Sequence, residues 1–230
     1  MNSLVIAIDG PAGAGKSTIS KILARDLGLH YLDTGAMYRA LALKAHRAGF
    51  LPIEGDAIAD LMADTSIDFG DGDPQPVLLD GEDVTVEIRT LFMGELASTI
   101  SAHPPVRRAL VAVQQRLVAR GGVILEGRDA TTVIAPDADV KLYMTASLEE
   151  RAKRRTVELD AKGMASTFEN VRTQIENRDH RDITRDDSPL SVAPDAKIIE
   201  TAGLTIPEVV AAIKACLPAM PSRDTSTEEN

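Results

Sequence analysis

An α/β fold with an open parallel sheet of five strands is predicted by three features of the chain. Residues 4–8, Leu-Val-Ile-Ala-Ile, are short, apolar and β-branched, the pattern of a strand buried on both faces. A glycine-rich turn follows at once, and from Lys16 onward Ile19, Ile22, Leu23 and Leu27 recur at helical spacing until Gly28, where a helix would stop. Four further apolar runs, 30–32, 123–126, 140–144 and 197–200, alternate with helical patterns, the rhythm of strands joined by crossover helices.

The later helices mark their own starts. Ser147 with Glu150, Ser166 with Glu169 and Thr205 with Glu208 each set a hydroxyl three residues before a glutamate, the spacing in which side chain and backbone cap one another. The last helix is predicted to run to about Leu217. Between residues 64 and 89 the texture changes to Gly, Pro and Asp around two short apolar stretches, 77–79 and 84–88, which predicts a small β-hairpin insertion. Within it Asp71, Asp73 and Glu82 imitate a calcium loop, but Pro76 stands where that loop needs glycine, so a solvated turn is expected. Residues 218–230 hold two prolines and mostly Ser, Thr, Asp and Glu, and are expected to be a disordered tail. One domain over 1–217 is the resulting organisation.

Composition narrows the function. The chain has 230 residues, enough for one compact unit with an insertion at roughly 150 residues per domain. Apolar residues make up 44% and charged residues 26%, a soluble composition able to build a core. No apolar run approaches the ~20 residues of a membrane span, and residues 1–8 lack a signal peptide's basic start and long apolar core; a cytoplasmic protein is expected. Cys216 is the single cysteine, which excludes an intrachain disulfide framework and predicts a small core side chain. The four histidines are scattered without metal-ligand spacing. A formal net charge of -10 repels nucleic acid and anionic membranes. Yet 12 of the 17 arginines fall between positions 107 and 185, and the guanidinium fork suits a phosphate held in fixed geometry. A small phosphorylated ligand fits both facts.

The strongest chemical signal is Gly10-Pro11-Ala12-Gly13-Ala14-Gly15-Lys16-Ser17, a full G-x-x-x-x-G-K-S/T between a buried strand and an amphipathic helix. Its glycines let backbone N–H groups turn inward as an anion nest, the helix adds its positive end, Lys16 can reach the β and γ phosphates, and Ser17 can ligate magnesium. By itself this loop leaves GTPases, motor ATPases and kinases open. No N/T-K-x-D guanine-reading motif follows. The apolar run 123–126 ends in Glu126 and leads into Gly127-Arg128-Asp129, a charged pair at a strand's carboxyl end, where open α/β sheets bind ligands.

Four stretches then carry a resemblance to the bacterial cytidylate kinases, members of the nucleoside monophosphate kinases. They are Gly10 to Thr18, Leu32-Asp33-Thr34-Gly35-Ala36-Met37-Tyr38-Arg39, Glu126-Gly127-Arg128-Asp129, and Arg178-Asp179-His180-Arg181-Asp182 with Arg185. The resemblance implies a P-loop NTPase-type sheet flanked by helices, a small β-containing monophosphate-binding insertion over about 36–115 and a helical lid over about 151–187. It implies phosphoryl transfer from ATP to CMP or dCMP with magnesium as cofactor. Gly10, Pro11, Ala12, Gly13, Ala14, Gly15, Lys16, Ser17 and Thr18 go to ATP, with Ser17 also on the metal. Thr34, Tyr38, Arg39, Ser98, Arg107, Arg128, Asp129, Arg178, Asp182 and Arg185 go to CMP. Of these, Ser98, Arg107 and Asp129 match positions that read cytosine, whose exocyclic amine a carboxylate can accept, and Asp182 with Arg185 match positions that recognise the sugar. Lys16, Arg128, Arg151, Arg155 and Arg181 are implied as catalytic, the lid opening on Arg151, Arg154 and Arg155.

One departure from the family pattern is visible. After Gly-Arg-Asp the usual continuation is Ile-Gly-Thr-Val, and Ala130-Thr131-Thr132-Val133 stands here; replacing the glycine by Thr131 predicts a tighter backbone approach to the ligand. The resemblance implies ATP and CMP or dCMP as partners; the charge and the short apolar runs predict no nucleic-acid or membrane partner, and the lack of a large apolar repeat or heptad predicts a monomer. Two alternatives stay open at this point: a related kinase acting on UMP or a non-nucleotide acid, and a non-catalytic ATP-binding regulator.

Overall fold

The computed structural model describes residues 3–70, 72, 74–161, 163–164 and 166–218. In chain order the elements are β1 (Val5–Asp9), α1 (Lys16–Leu27), β2 (His30–Asp33), α2 (Thr34–Arg47), α3 (Gly55–Asp60), β3 (Ile67–Phe69), β4 (Val77–Leu79), β5 (Glu82–Asp83), α4 (Leu91–Ile100) and α5 (Pro104–Val118). There follow β6 (Val123–Gly127), β7 (Val140–Thr145), α6 (Leu148–Ala161), α7 (Phe168–Thr184), β8 (Lys197–Glu200) and α8 (Ile206–Lys214). The five predicted strands form one sheet in the order β2-β6-β1-β7-β8, with every neighbouring pair parallel.

Strand alternation divides the core into two layers. Ile6, Ile8, Ile124, Leu142 and Met144 pack under α1 and α8 with Ile19, Leu23, Val209 and Ile213. Their neighbours Ala7, Val123 and Leu125 face the other way, onto Met37, Leu41 and Leu110 from α2 and α5, as the two-residue period of a strand requires. β1 lies in the middle, its residues 6–9 all fully buried. A third, smaller cluster joins α6 and α7 through Ala152, Leu159, Val171 and Ile175, and the side chain of Ala12 belongs to it.

The insertion is a three-stranded antiparallel sheet rather than a hairpin, in the order β3-β4-β5. Its strand at 77–79 lies where expected. The stretch 84–88 does not form a strand: alternation would place Val84, Val86 and Ile88 on one face, but Val84 and Ile88 are buried while Val86 is 86% exposed. Ile88 N–H donates to Val84 O, so the two share a helical turn, and the Asp83 carboxylate ends β5 by accepting from Thr85 N–H and Oγ1. Asp71 and Asp73 of the calcium-like spacing lie outside the described residues, as do residues 219–230 of the expected tail.

Helix starts follow the caps with one shift. Glu150 N–H donates to Ser147 Oγ at the head of α6, and Thr205 with Glu208 forms the full reciprocal box on α8. α7 is capped by Thr167 instead of Ser166, its hydroxyl accepting from Asn170 N–H. α8 stops at Lys214, short of Leu217, in turns that carry Cys216 half-buried at the rim of the core instead of inside it.

Because the sheet is parallel, the carboxyl ends of β1, β2 and β6 share one edge, with Asp9 opposite Gly127 and Asp33 opposite Glu126. Gly10 takes the first step off that edge at φ 148°, and a β-carbon there would lie 2.0 Å from Met144 O on the neighbouring strand. Gly10→Ala is therefore expected to destabilise the fold by about 2–4 kcal/mol. Thermal unfolding should then show a midpoint lower by roughly 5–10 °C.

Candidate active site

The shared edge opens into a cleft of about 870 Å³. On one wall the loop after β1 delivers α1 with its amino end toward the cavity, and no side chain caps that end, so first-turn N–H groups and the helix dipole are directed at an incoming anion. Residues 12–18 line this wall. Gly10 and Pro11 do not; their carbonyls accept the Lys16 ammonium at 2.7 and 2.9 Å. Burial, reinforced by the Arg128 charge, lowers the Lys16 pKa to about 7.

The same cleft is lined by all ten residues assigned to the acceptor: Thr34, Tyr38, Arg39, Ser98, Arg107, Arg128, Asp129, Arg178, Asp182 and Arg185. α2 supplies the first three. Its amino end is capped by Asp33, which accepts from Ala36 N–H at 2.8 Å and from Arg39 at 2.9 Å, while Thr34 donates to Glu126 O. Arg107 is almost fully buried, ion-paired with Asp129 and lying 5.5 Å over the Tyr38 ring. Beside this pair the Tyr38 hydroxyl, Ser98 Oγ and Arg107 Nε are buried without a hydrogen-bond partner.

Four of these residues form a cluster of arginines around Asp182. Arg128 Nε donates to Asp182 Oδ2 at 2.8 Å, and Arg185 lies 3.4 Å from Oδ1. Burial would raise the Asp182 carboxyl, but Arg128, Arg178 and Arg185 outweigh it and hold the group below its ordinary range. Arg178 is compensated less: its Nε lies 4.0 Å from Asp182 Oδ2 without a hydrogen bond, and burial with the Arg128 charge outweighs Asp182 and Asp179 and brings it down to about 10.

Two of the implied catalytic arginines are held by carboxylates. Arg181 makes a two-point ion pair with Glu95 at 2.6 and 3.1 Å. Arg151 is buried against Asp179 and two backbone carbonyls. Neither lines the cleft, whereas Arg154 and Arg155 do; Arg155 pairs with Glu158 and Arg154 donates to Thr201 Oγ1 and O.

Asp9 is a residue that motif reasoning passed over. It is fully buried, and its carboxylate accepts from Ala130 N–H, Thr131 N–H and Thr131 Oγ1 at 2.6–2.8 Å. These bonds cap a single π turn, Ala130–Ile134, and so fix the direction in which Arg128 and Asp129 leave β6. The Thr131 side chain thus faces Asp9 and is not among the residues that line the cleft. A charge at the end of an otherwise apolar strand was the available signal.

A hard divalent cation would find the Ser17 hydroxyl on the wall beside Lys16. The nearby carboxylates are committed, Glu126 to the Tyr31 hydroxyl at 2.5 Å and Asp33 to Arg39 and Ala36. Among the described residues no three His, Cys, Asp or Glu converge as a metal cage. This donor set suits magnesium, which keeps waters and is held largely by substrate phosphates.

Residues 6–218 match the family model described as cytidylate kinase. The chain is 49% identical over 210 residues to a cytidylate kinase of Geobacter sp. (strain M21), covering 91% of this chain and 90% of that protein. It is 46% identical over 210 residues to one from Symbiobacterium thermophilum, covering 90% and 92%, and 45% identical over 210 residues to one from Pediococcus pentosaceus, covering 91% and 93%. A match that spans the sheet, the insertion and the arginine-bearing helices means that the chain belongs to the cytidylate kinase family.

Proposed function

We propose that the cleft carries out the family's reaction with the residues just described. The chain transfers the γ-phosphoryl group of ATP to CMP or dCMP, giving ADP and CDP or dCDP. The observation that carries this reading is the set of buried polar atoms without a hydrogen-bond partner at Tyr38, Ser98 and Arg107 beside Asp129, in one cleft with the Lys16 loop. A buried polar group without a partner costs about 1–3 kcal/mol, and a cytosine ring offers partners to all of them. The Asp129 carboxylate can accept from the exocyclic amine, which uracil lacks.

The attacking group is an oxygen of the acceptor phosphate, already ionised near neutral pH, so no side chain need act as nucleophile or base. A bond forms from that oxygen to the γ phosphorus as the bond to the departing ADP breaks. Catalysis is alignment and charge stabilisation. Lys16 leaves the carbonyls of Gly10 and Pro11 for the donor phosphates. Arg128 and Arg178 hold the acceptor phosphate, Arg155 approaches from α6, and Asp182 with Arg185 faces the sugar. Magnesium, held by Ser17 and the phosphates, supplies further charge neutralisation when bound. α6 and α7 act as the lid that excludes water, and the elements from α2 to α5 form the acceptor-binding unit. A monomer in the cytoplasm with no nucleic-acid or membrane partner accompanies this reading, supported by the net charge of -10. No helix of the described residues is long and apolar enough to cross a membrane.

The test is ADP formation from Mg-ATP with CMP, dCMP, UMP, AMP, GMP or no acceptor. Consumption is expected with CMP and dCMP; activity led by a non-cytidine acceptor would overturn the roles of Ser98, Arg107 and Asp129. In the same assay Asp129→Ala should raise KM for CMP by roughly 10–100-fold while KM for ATP changes little.

A pH dependence also follows. Lys16 in the free protein loses its proton near pH 7, while beside a triphosphate it stays protonated, so ATP binding takes up a proton above that pH. Affinity for Mg-ATP should therefore weaken as pH rises from about 7, by up to roughly tenfold per unit. Calorimetry in buffers of different ionisation enthalpy should register the uptake, and Lys16→Met should abolish it.

A further inference from the structure

Ala12 is gripped from three sides by the two helices read as the lid. Its methyl group belongs to the apolar cluster of Ala152, Leu159, Val171 and Ile175. Its N–H donates to Asp179 Oδ1 at 3.0 Å, and its carbonyl accepts from Arg151 Nη1 at 2.9 Å. Arg151 and Asp179 close the circuit with an ion pair of 2.5 Å, and Arg151 Nε donates to Ala146 O. The next residue permits this approach: a β-carbon at Gly13 would lie 3.1 Å from Arg151 Cβ and 3.2 Å from its carbonyl oxygen. Both side chains are buried, and neither faces the cleft.

We propose that Arg151 and Asp179 are positioning residues, a buckle that fastens the phosphate loop to the bases of α6 and α7 and holds it in the shape that receives ATP. The inference rests on the reading of that loop as the donor site. With its backbone N–H and C=O committed to the buckle, Ala12 is an anchor, and the residues that follow, Gly13 to Thr18, are the part of the loop left to surround phosphate. The planar fork of Arg151 reaches two carbonyls and a carboxylate at once, which a lysine cannot do. Motion of α6 against α7 is felt at Ala12 directly, because the same two side chains span all three segments. Arg151 therefore serves the donor loop and does not touch the transferring group.

The experiment measures Mg-ATP and CMP affinity by calorimetry, and kcat at saturating ATP, for the full chain and for Asp179→Asn, Arg151→Lys, Arg151→Met and the double variant Asp179→Asn/Arg151→Met. Asp179→Asn and Arg151→Met should each weaken Mg-ATP by about 10–100-fold, the range for a lost hydrogen bond to a charged group. CMP affinity should stay within about twofold, and kcat at saturating ATP within about tenfold. The double variant should be no weaker than the worse single one, as for residues acting as one unit, and Arg151→Lys should recover only part of the loss. A fall in kcat of about a thousandfold with ATP affinity unchanged in Arg151→Met would overturn the proposal by placing that guanidinium on the reacting phosphate; additive losses in the double variant would also overturn it. Should Arg151→Met not fold, Asp179→Asn decides alone, since it keeps an oxygen for Ala12, and parental ATP affinity in it would overturn the proposal. A parent chain that binds no Mg-ATP would instead defeat the donor-site reading itself.

Discussion

Lys16, Arg107, Arg128, Arg178 and Arg185 share the walls of one cleft, and taking a cation out of water costs several kcal/mol unless an anion meets it. Much of the surrounding structure answers that constraint. Asp129 meets Arg107, and Asp182 meets Arg128 and Arg185. The partnering stops short of balance: Lys16, Arg178 and Arg185 are left with depressed pKa values, burial acting most strongly on each, with Arg128 adding to it at the first two and Arg107 at the third. The missing negative charge is what nucleotide phosphates bring, so the ligands complete an electrostatic arrangement that the protein builds only in part.

The parallel sheet makes this concentration of charge affordable by bringing three distant segments to one edge without bending any of them. Asp9 ties two of these together. It ends β1, so the glycine loop begins at its carbonyl, and its carboxylate holds the turn that aims Arg128 and Asp129. Burial raises its pKa, and the bonds from Ala130 and Thr131 work against that rise. Three residues further on, Asp179 and Arg151 fasten Ala12 to α6 and α7. Both contacts sit at the amino end of the glycine loop, and neither aspartate lines the cleft.

What was legible in the sequence follows from how local each signal is. β-branched apolar runs, the glycine loop and the stop at Gly28 depend on near neighbours, and the strands and α1 form within about a residue of their predicted ends. The stretch 84–88 misled because two buried positions four apart fit either a helical turn or a longer alternating strand, and only the Asp83–Thr85 bonds decide between them. The ten residues assigned to the acceptor from the resemblance all line one cleft. The roles of Arg151 and Arg181 could not be read in the same way, because a guanidinium's destination depends on its tertiary partner, here Asp179 and Glu95. Thr131 is the instructive case. Its type suggested crowding of the ligand, while its actual partner, Asp9, lies 122 residues away in sequence.

The most direct measurement of the central claim compares CMP with cytidine as ligands for the nucleotide-free protein by calorimetry at low salt. If uncompensated charge at Arg178 and its neighbours sets the energetics of the cleft, the monophosphate should supply most of the affinity. Cytidine should then bind at least about a hundredfold more weakly than CMP, as expected when charge-assisted bonds to a phosphate are lost. Cytidine binding within a few-fold of CMP would contradict the account, because the arginine cluster would then be satisfied without the anion it is built to receive.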